Sequence, residues 1–476
     1  MPEASGPHEI VHLGWRANGD GFDTALAVNR LRAAGARAWW LQRAHETAEA
    51  GDYLVEVEPR QAAALARLGV SVGSWRTDIP GDARALARPV VRLFAGTASK
   101  FPYYAYYALC LLRLGVDYLP CGGDALANGA LDEANVLILP GGFATWGIDA
   151  AESATGADKA VRDFLARGGT AIGSCGGAYY LSAGRPAWTG TAAAKPRYTH
   201  EYLQSGVGVV SIALETGPLG FGCPPTLEMP YYHGPIYDAL GEGIEVAATF
   251  QSLALSGRLA IDNPLDRESF ERDLAGTPAI LAAAGPRGRA VLFSPHPEMG
   301  DLVRKYIALD GYVRRYLPIR GFETMRDTLR HYRVADAPSF RLVQNALDTL
   351  LSGAREAARA GAPFSEDGSP EALAALCRGA LARIPPPLGV GEEGDLLRDV
   401  ASGIAARLDR TEARIAPVAS APSLQPALEH LCASAAERWS DSAYPSVAHQ
   451  LMEIDLGVAL LECWLRAATF DRALSA

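Results

Sequence analysis

The chain has 476 residues and a formal net charge of −10; hydrophobic residues make up 49%, charged residues 21% and aromatics 8%. That mix supplies ample apolar content for a core and excludes a mainly disordered or fibrous chain, and the length suggests about three domains. No segment is basic, which argues against nucleic-acid binding, and no run approaches the roughly 18 apolar residues that a membrane span needs.

In chain order, the opening MPEASGPHEI has neither a basic n-region nor an apolar h-region, so no secretory signal is expected. Residues 1–88 read as a small N-terminal α/β unit. Strands are predicted at Glu9–Gly14, Ala36–Leu41, Asp52–Val57 and Gly69–Val72, and helices at Thr24–Ala34 and Arg60–Leu68. Asp78–Pro89 is rich in turn residues and reads as a linker. Residues 89–318 alternate strands and helices. Val90–Gly96, Val116–Pro120, Asn135–Gly142 and Thr170–Cys175 are near-continuous apolar strands; Tyr103–Gly115 and Lys159–Ala166 are helices. This pattern predicts an α/β fold with a mostly parallel, doubly wound sheet covered on both faces. PAILAAA and RAVLFSP flank GPRG as a hairpin, followed by a helix over Asp301–Tyr316. Residues 319–476 read as an all-helical C-terminal domain, with helices at Glu323–Tyr332, Ser339–Ala360, Pro370–Ile384, Gly394–Ile415, Leu424–Ser440 and Ser446–Leu474. The last is apolar over much of its circumference, as in a bundle's central helix or a contact with a second copy or another protein. The seven cysteines show no CxxC pair or regular spacing, which disfavours a disulfide framework and a zinc cluster and fits a reducing, cytoplasmic setting.

Three local signals carry chemistry. In GSCGG, Gly173–Gly177, a strand ends in G-x-C-x-G and a helix begins at once, as in a nucleophile elbow. Such a turn thrusts Cys175 out at a helix N-terminus, which favours a thiolate, and aims the Gly176 N–H at a developing oxyanion. The plain alternative is a glycine-lined close approach of helix and strand. In SPHPE, Ser294–Glu298, His296 and Glu298 lie two apart, so an extended segment would place both on one side as base and orienter; a surface histidine is the alternative. In LPGG, Leu139–Gly142, the glycines can aim N–H groups into the same crevice, or simply make a turn.

Together the PGG turn, the elbow and the late H-P-E segment resemble the class I glutamine amidotransferase family, above all the amidotransferase-like domain at the N-terminus of some biotin–protein ligases. PfpI-type peptidases and deglycases are more distant. The resemblance spans about residues 89–318. It implies Cys175 as nucleophile, His296 as base, Glu298 as orienter, and Gly141 and Gly142 as oxyanion-hole residues beside Gly176. MPYYHGP resembles a stretch that lines the site there, so Tyr231, Tyr232 and His233 are substrate-binding candidates, with aromatic packing as their alternative. His233 is also a rival base, without a carboxylate two residues away. Tyr179 stands where glutamine-using members carry a glutamine, which makes use of free glutamine doubtful.

The implied activity is a cysteine-dependent amide hydrolase or amidotransferase-like enzyme acting on a small-molecule or peptide amide through a Cys-His-Glu triad and a thioester, with no cofactor or metal. The alternatives are a catalytically degenerate binding or assembly module, and a glutaminase subunit feeding a partner chain. The remaining candidates point to no chemistry. Tyr103, Tyr104, Tyr106 and Tyr107 read as core, with a hydroxyl reaching substrate as the alternative. Cys110, Cys121 and Cys223 read as structural thiols. Asp262 and Asn263 sit in a turn, and His331, His430 and His449 lie on separate helices without ligand spacing. GDYLVEVEP and the helix after it resemble a segment linking some zinc carboxypeptidases to amidotransferase-like domains. Without an H-x-x-E or H-E-x-x-H motif it reads as a scaffold or lid.

Overall fold

The computed structural model describes residues 8–19, 21–99, 103–142, 147–153, 155–197, 207–254, 265–306, 338–354, 369–384, 392–415, 429–433, 435–436 and 447–476. The helix expected at Glu323–Tyr332, with His331, lies outside them, as do Asp262, Asn263 and parts of the helices expected at Asp301–Tyr316, Ser339–Ala360 and Leu424–Ser440.

The N-terminal unit is a five-stranded sheet in the order β4-β1-β3-β2-β5. The strands are β1 (Glu9–Leu13), β2 (Ala38–Trp40), β3 (Tyr53–Val57), β4 (Gly73–Ser74) and β5 (Arg84–Ala85), backed by α1 (Phe22–Ala33) and α2 (Pro59–Arg67). Two boundaries differ from expectation. Gly69–Val72 is not a strand. Gly69 takes φ +83° and, with Val70, caps α2 through N–H bonds to the carbonyls of Ala66 and Leu65, so pairing begins only at Gly73. The expected linker also contributes β5, because Trp39 and Trp40 pair with Ala85 and Arg84.

The nine-stranded central sheet has the order β12-β11-β14-β15-β16-β9-β8-β6-β7. Its strands are β6 (Val91–Phe94), β7 (Tyr118–Cys121), β8 (Val136–Leu139), β9 (Thr170–Ser174), β11 (Val207–Leu214), β12 (Thr226–Tyr232), β14 (Ile244–Leu253), β15 (Pro278–Gly285) and β16 (Gly288–Phe293). The strands β10 (Ala194–Pro196) and β13 (Tyr237–Leu240) form a separate ribbon. From β16 to β7 the pairings are parallel, as the continuous apolar runs require; from β12 to β16 the sheet continues as an antiparallel meander. The hairpin expected at GPRG is the β15–β16 turn, with Gly285 opposite Gly288.

Both faces of the parallel half are covered. Val136, Ile138 and Ile172 point into one core with α3 (Tyr103–Leu114). Leu137, Leu139 and Ala171 point into another with α6 (Ala157–Ala166) and α7 (Gly176–Leu181). Shorter helices are α4 (Gly123–Ala127), α5 (Ile148–Glu152) and α8 (Arg267–Asp273).

Among the described residues beyond 338 the helices are α9 (Phe340–Leu351), α10 (Pro370–Arg383), α11 (Glu392–Ile415) and α12 (Val447–Ser475). The apolar helix α12 packs on α3, α10 and α11. Its buried Asp455 accepts from Lys305 Nζ and from the Tyr306 hydroxyl, each at 3.0 Å, and pairs with Arg407 of α11. On the other flank, Asp348 of α9 pairs with Arg32 at 3.2 Å and accepts from the Tyr53 hydroxyl at 2.7 Å, with all three side chains buried. Side chains from all three regions thereby share one core. Among the described residues no helix is long and apolar enough to cross a membrane, and no cluster of His, Cys, Asp and Glu is placed to hold a metal.

Candidate functional site

Three neighbouring strands deliver the three sequence signals to one edge of the sheet. β8 stands beside β9 with Leu139 opposite Gly173, and β9 beside β16 with Ser174 opposite Phe293. The Pro140–Gly142 turn, Cys175 and the Ser294–Glu298 segment therefore all leave the sheet at its carboxyl end, where ligands bind in open α/β folds.

Cys175 sits between β9 and α7 with φ +50° and ψ −108°, a conformation that costs a non-glycine residue about 1–3 kcal/mol. The flanking glycines allow it. A Cβ on Gly177 would fall 2.0 Å from the Leu139 carbonyl oxygen, and one on Gly173 would fall 2.6 Å from the Gly177 carbonyl carbon. Close packing and elbow thus coincide in one turn. The Cys175 amide N–H bonds Phe293 O at 2.9 Å, which ties the turn to β16. Its thiol donates to the Tyr232 carbonyl at 2.9 Å and is 9% exposed.

His296 is fully buried. Its amide N–H is held by Pro230 O at 2.8 Å, and its Nδ1 lies 2.7 Å from Glu298 Oε1. The expectation of an extended His296–Glu298 segment needs correction. Pro297–Met299 is a 3-10 turn, and this turn, not strand alternation, brings the carboxylate under the ring. His296 Nε2 is buried with no conventional hydrogen-bond partner among the described residues. Burial opposes a charged imidazole, but Glu298 and the Cys175 thiol outweigh it and raise the pKa of His296 to about 10. Gly141 backs onto the ring: a Cβ there would lie 2.4 Å from His296 Cε1. The Gly141 carbonyl accepts from the buried Ser99 hydroxyl at 3.0 Å, which fixes the turn. Gly176 is the first residue of α7, so its N–H lies ahead of the first intrahelical bond.

The aromatic candidates divide. Tyr232 meets the His296 ring edge-on, with centroids 5.8 Å apart, and Tyr103 lies 6.5 Å from the same ring. Burial and then the Cys175 thiol raise the Tyr103 pKa, which places that hydroxyl in the thiol's field. Tyr231 points to the other face of β12. It is fully buried against Phe250, and its hydroxyl donates to Gly234 O at 3.0 Å. Tyr179 is buried, faces Trp188, and donates to His233 O at 3.2 Å. His233 itself adopts φ +48°, and burial lowers its pKa. Tyr104 packs against His430, with centroids 5.1 Å apart. Cys110 and Cys121 are buried, and Cys223 lies beside Asn345.

Ser174 escaped the sequence analysis, and Tyr107, which reads there as core with a hydroxyl reaching substrate as the alternative, joins it at the site. The Ser174 hydroxyl donates to Glu298 Oε2 at 3.0 Å and lies 2.5 Å from the Tyr107 hydroxyl. Their signal was available: a serine in a buried apolar strand and a tyrosine in a buried helix each need a polar partner. Two hollows, of about 910 and 530 Å³, lie elsewhere, beside Asn18, Asp23 and Arg113 and beside Arg37, Trp39 and Arg88.

Residues 111–204 match the CobB/CobQ-like glutamine amidotransferase domain. No sequence among curated proteins matches. Among solved structures, a glutamine amidotransferase is similar over 43% of this chain and 90% of its own, at 19% identity and a TM-score of 0.31. A glutamine amidotransferase from Thermotoga maritima is similar over 56% of this chain and 99% of its own, at 13% identity and a TM-score of 0.34. Superpositions this loose carry no argument. The domain match supports a likeness to class I glutamine amidotransferase-like proteins, which are enzymes of the amidotransferase or hydrolase kind. It covers Cys175, stops short of His296 and Glu298, and says nothing of biotin–protein ligases.

Proposed function

From the glutamine amidotransferase-like match over residues 111–204, we propose that this chain is a cysteine-dependent amide hydrolase or amidotransferase-like enzyme. The observation that carries the reading is the strained Cys175 at the sheet edge, in the field of a buried imidazole that Glu298 holds from the other side.

In the proposed reaction His296 Nε2 takes the Cys175 proton and the sulfur attacks the amide carbon. The oxyanion lies against the N–H groups of Gly176 and of Gly141 or Gly142. The intermediate collapses with loss of the C–N bond, and the leaving nitrogen takes the proton from His296. A thioester remains. Water attacks it while His296 accepts a proton, and the acid and the Cys175 thiol are released; an amine in place of water gives transfer. Glu298 holds the Nδ1–H tautomer throughout. No step needs a metal or an organic cofactor.

Tyr103 and Tyr232 wall the site beside the imidazole, and Tyr179 fixes the backbone at His233. Tyr179 in the position of the family glutamine argues for an amide other than free glutamine. The likeness to the biotin–protein ligase type of domain rests on the PGG, G-x-C-x-G and H-P-E motifs alone. A division at about residues 88 and 318, a cytoplasmic setting and a partner or second copy on the helical tail belong to the same proposal.

One observation favours a second reading, a retired binding module: the thiol donates to the Tyr232 carbonyl. Alkylation of Cys175 by iodoacetamide across about pH 5–10, read by peptide mass spectrometry, separates the two. Fast labelling well below about pH 8 that drops in His296→Ala supports the enzyme. Labelling that rises only near about pH 8.5, equal in both proteins, refutes it.

A further inference from the structure

Glu298 is fully buried, yet both of its oxygens are engaged. Oε1 faces His296 Nδ1, and Oε2 accepts the Ser174 hydroxyl proton. Serine has one such proton. With that proton committed to the carboxylate, the 2.5 Å contact between Ser174 and Tyr107 has one polarity: Tyr107 donates and Ser174 accepts. The result is a directed chain of buried groups, Tyr107 O–H to Ser174 O–H to Glu298, met from the far side by the His296 N–H. Ser174 and Tyr107 are themselves fully buried, so no water competes for the Glu298 oxygens through them.

On the enzyme reading above, we propose that Ser174 and Tyr107 are positioning residues that hold the Glu298 carboxylate against His296 Nδ1, and so hold the imidazole toward the Cys175 thiol. Ser174 immediately precedes the nucleophile, so the strand that presents the thiol also holds the far end of the triad. Tyr107 brings the α3 helix into the same chain. An orphaned Oε2 would rotate toward another donor and draw Oε1 away from His296 Nδ1. The imidazole then loses its fixed orientation, and its help to the Cys175 thiol weakens. Hydrogen bonds in such a chain polarise one another, so Tyr107 acts through Ser174 and not beside it.

The test is the pH profile of Cys175 alkylation in the full chain, compared among wild type, His296→Ala, Tyr107→Phe, Ser174→Ala and the double variant. Tyr107→Phe removes one oxygen and keeps the ring, and circular dichroism melts check that each variant folds. Ser174→Ala should slow labelling near pH 6.5 by about tenfold and raise the inflection by about one unit; Tyr107→Phe should do the same by about threefold. The double variant should match Ser174→Ala alone, since the tyrosine has nothing left to act through. A low wild-type inflection that both single variants keep overturns this inference and leaves the enzyme standing. So does a double variant whose loss is the sum of the two. A wild-type inflection near about 8.5, unchanged in His296→Ala, overturns the enzyme reading itself.

Discussion

Gly141→Ala is the sharpest single perturbation of this site. The added methyl would lie 2.4 Å from His296 Cε1, 3.2 Å from Nδ1 and 3.4 Å from Nε2. Carbon atoms pack at about 3.5–4.0 Å, so the overlap is more than about 1 Å. Gly141 is absent from the positive-φ glycines, so the backbone itself accepts alanine. The strain therefore falls on the ring. The imidazole cannot slide away freely, because Nδ1 is tied to Glu298 at 2.7 Å and the amide N–H to Pro230 at 2.8 Å. It must tilt away from the methyl, which moves Nε2 relative to the thiol. A displacement of about 1 Å in a reacting pair can cost about 100-fold. The expected outcome is a fall of about 30- to 100-fold in Cys175 alkylation at pH about 6.5, with a loss of about 1–3 kcal/mol in global stability from overpacking. Peptide-resolved alkylation rates and urea unfolding measure the two quantities. Wild-type alkylation in a folded Gly141→Ala protein would show that His296 does not activate the thiol from this position.

Further outcomes follow from the same geometry. Gly177→Ala drives a methyl to 2.0 Å from the Leu139 carbonyl oxygen, so urea unfolding should show a loss of about 1–3 kcal/mol or more; a neutral result would deny the close contact of α7 with β8. Asp348→Ala removes the counter-charge from the buried Arg32 guanidinium, which keeps only neutral acceptors such as Asn29 and the Ala87 carbonyl, and should destabilise by about 3–5 kcal/mol in the same assay, where a loss under about 1 would be inconsistent with a desolvated pair. The His296 pKa is raised, so its contribution to stability is fully present below its ordinary value of 6.5 and is lost as pH rises through about 10. The stability gap between wild type and His296→Gln should accordingly shrink across that window, and a gap that widens would contradict an imidazolium in the folded state. Burial pushes the Cys223 thiol up to about 12, so peptide mapping at pH about 7 should find it labelled at least tenfold more slowly than Cys175.

What could be read before folding was local. The apolar runs that became β6, β8 and β9 were legible because a strand covered on both faces has no polar alternation to blur it. The GPRG hairpin and the helix stop at Gly115 were legible because turn chemistry is short-range. The elbow was legible because its glycines answer to contacts within a few residues and with the adjacent strand. The juxtaposition of Cys175 with His296 was of another kind. It depends on β16 inserting beside β9, and no spacing in the chain announces strand order. The antiparallel meander beyond β16 was missed for the same reason. Tyr231 and Tyr232 were grouped as candidates, although consecutive strand residues face opposite ways; only Tyr232 reaches the imidazole. Ser174 was passed over, and Tyr107 was read as core, because a buried hydroxyl reveals its purpose only once its partner is known. The Gly69–Val72 strand failed because a helix cap and a strand start compete for the same few residues, and the cap prevailed.

The pairing of Ser174 with Phe293 also dictates a chronology. As the chain emerges from the ribosome, the elbow is made long before the segment that bears the imidazole, and the helix that lies across α3 comes later still. A nascent polypeptide therefore carries its thiol unaccompanied, with nothing beside it to take the proton. On the proposed reading, reactivity arrives only when β16 docks, a long-range event that closes the sheet around the insertion between them. On the proposed reading, completion of the fold is a safety catch: a chain that stalls, or is clipped before residue 298, holds a cysteine without its partners.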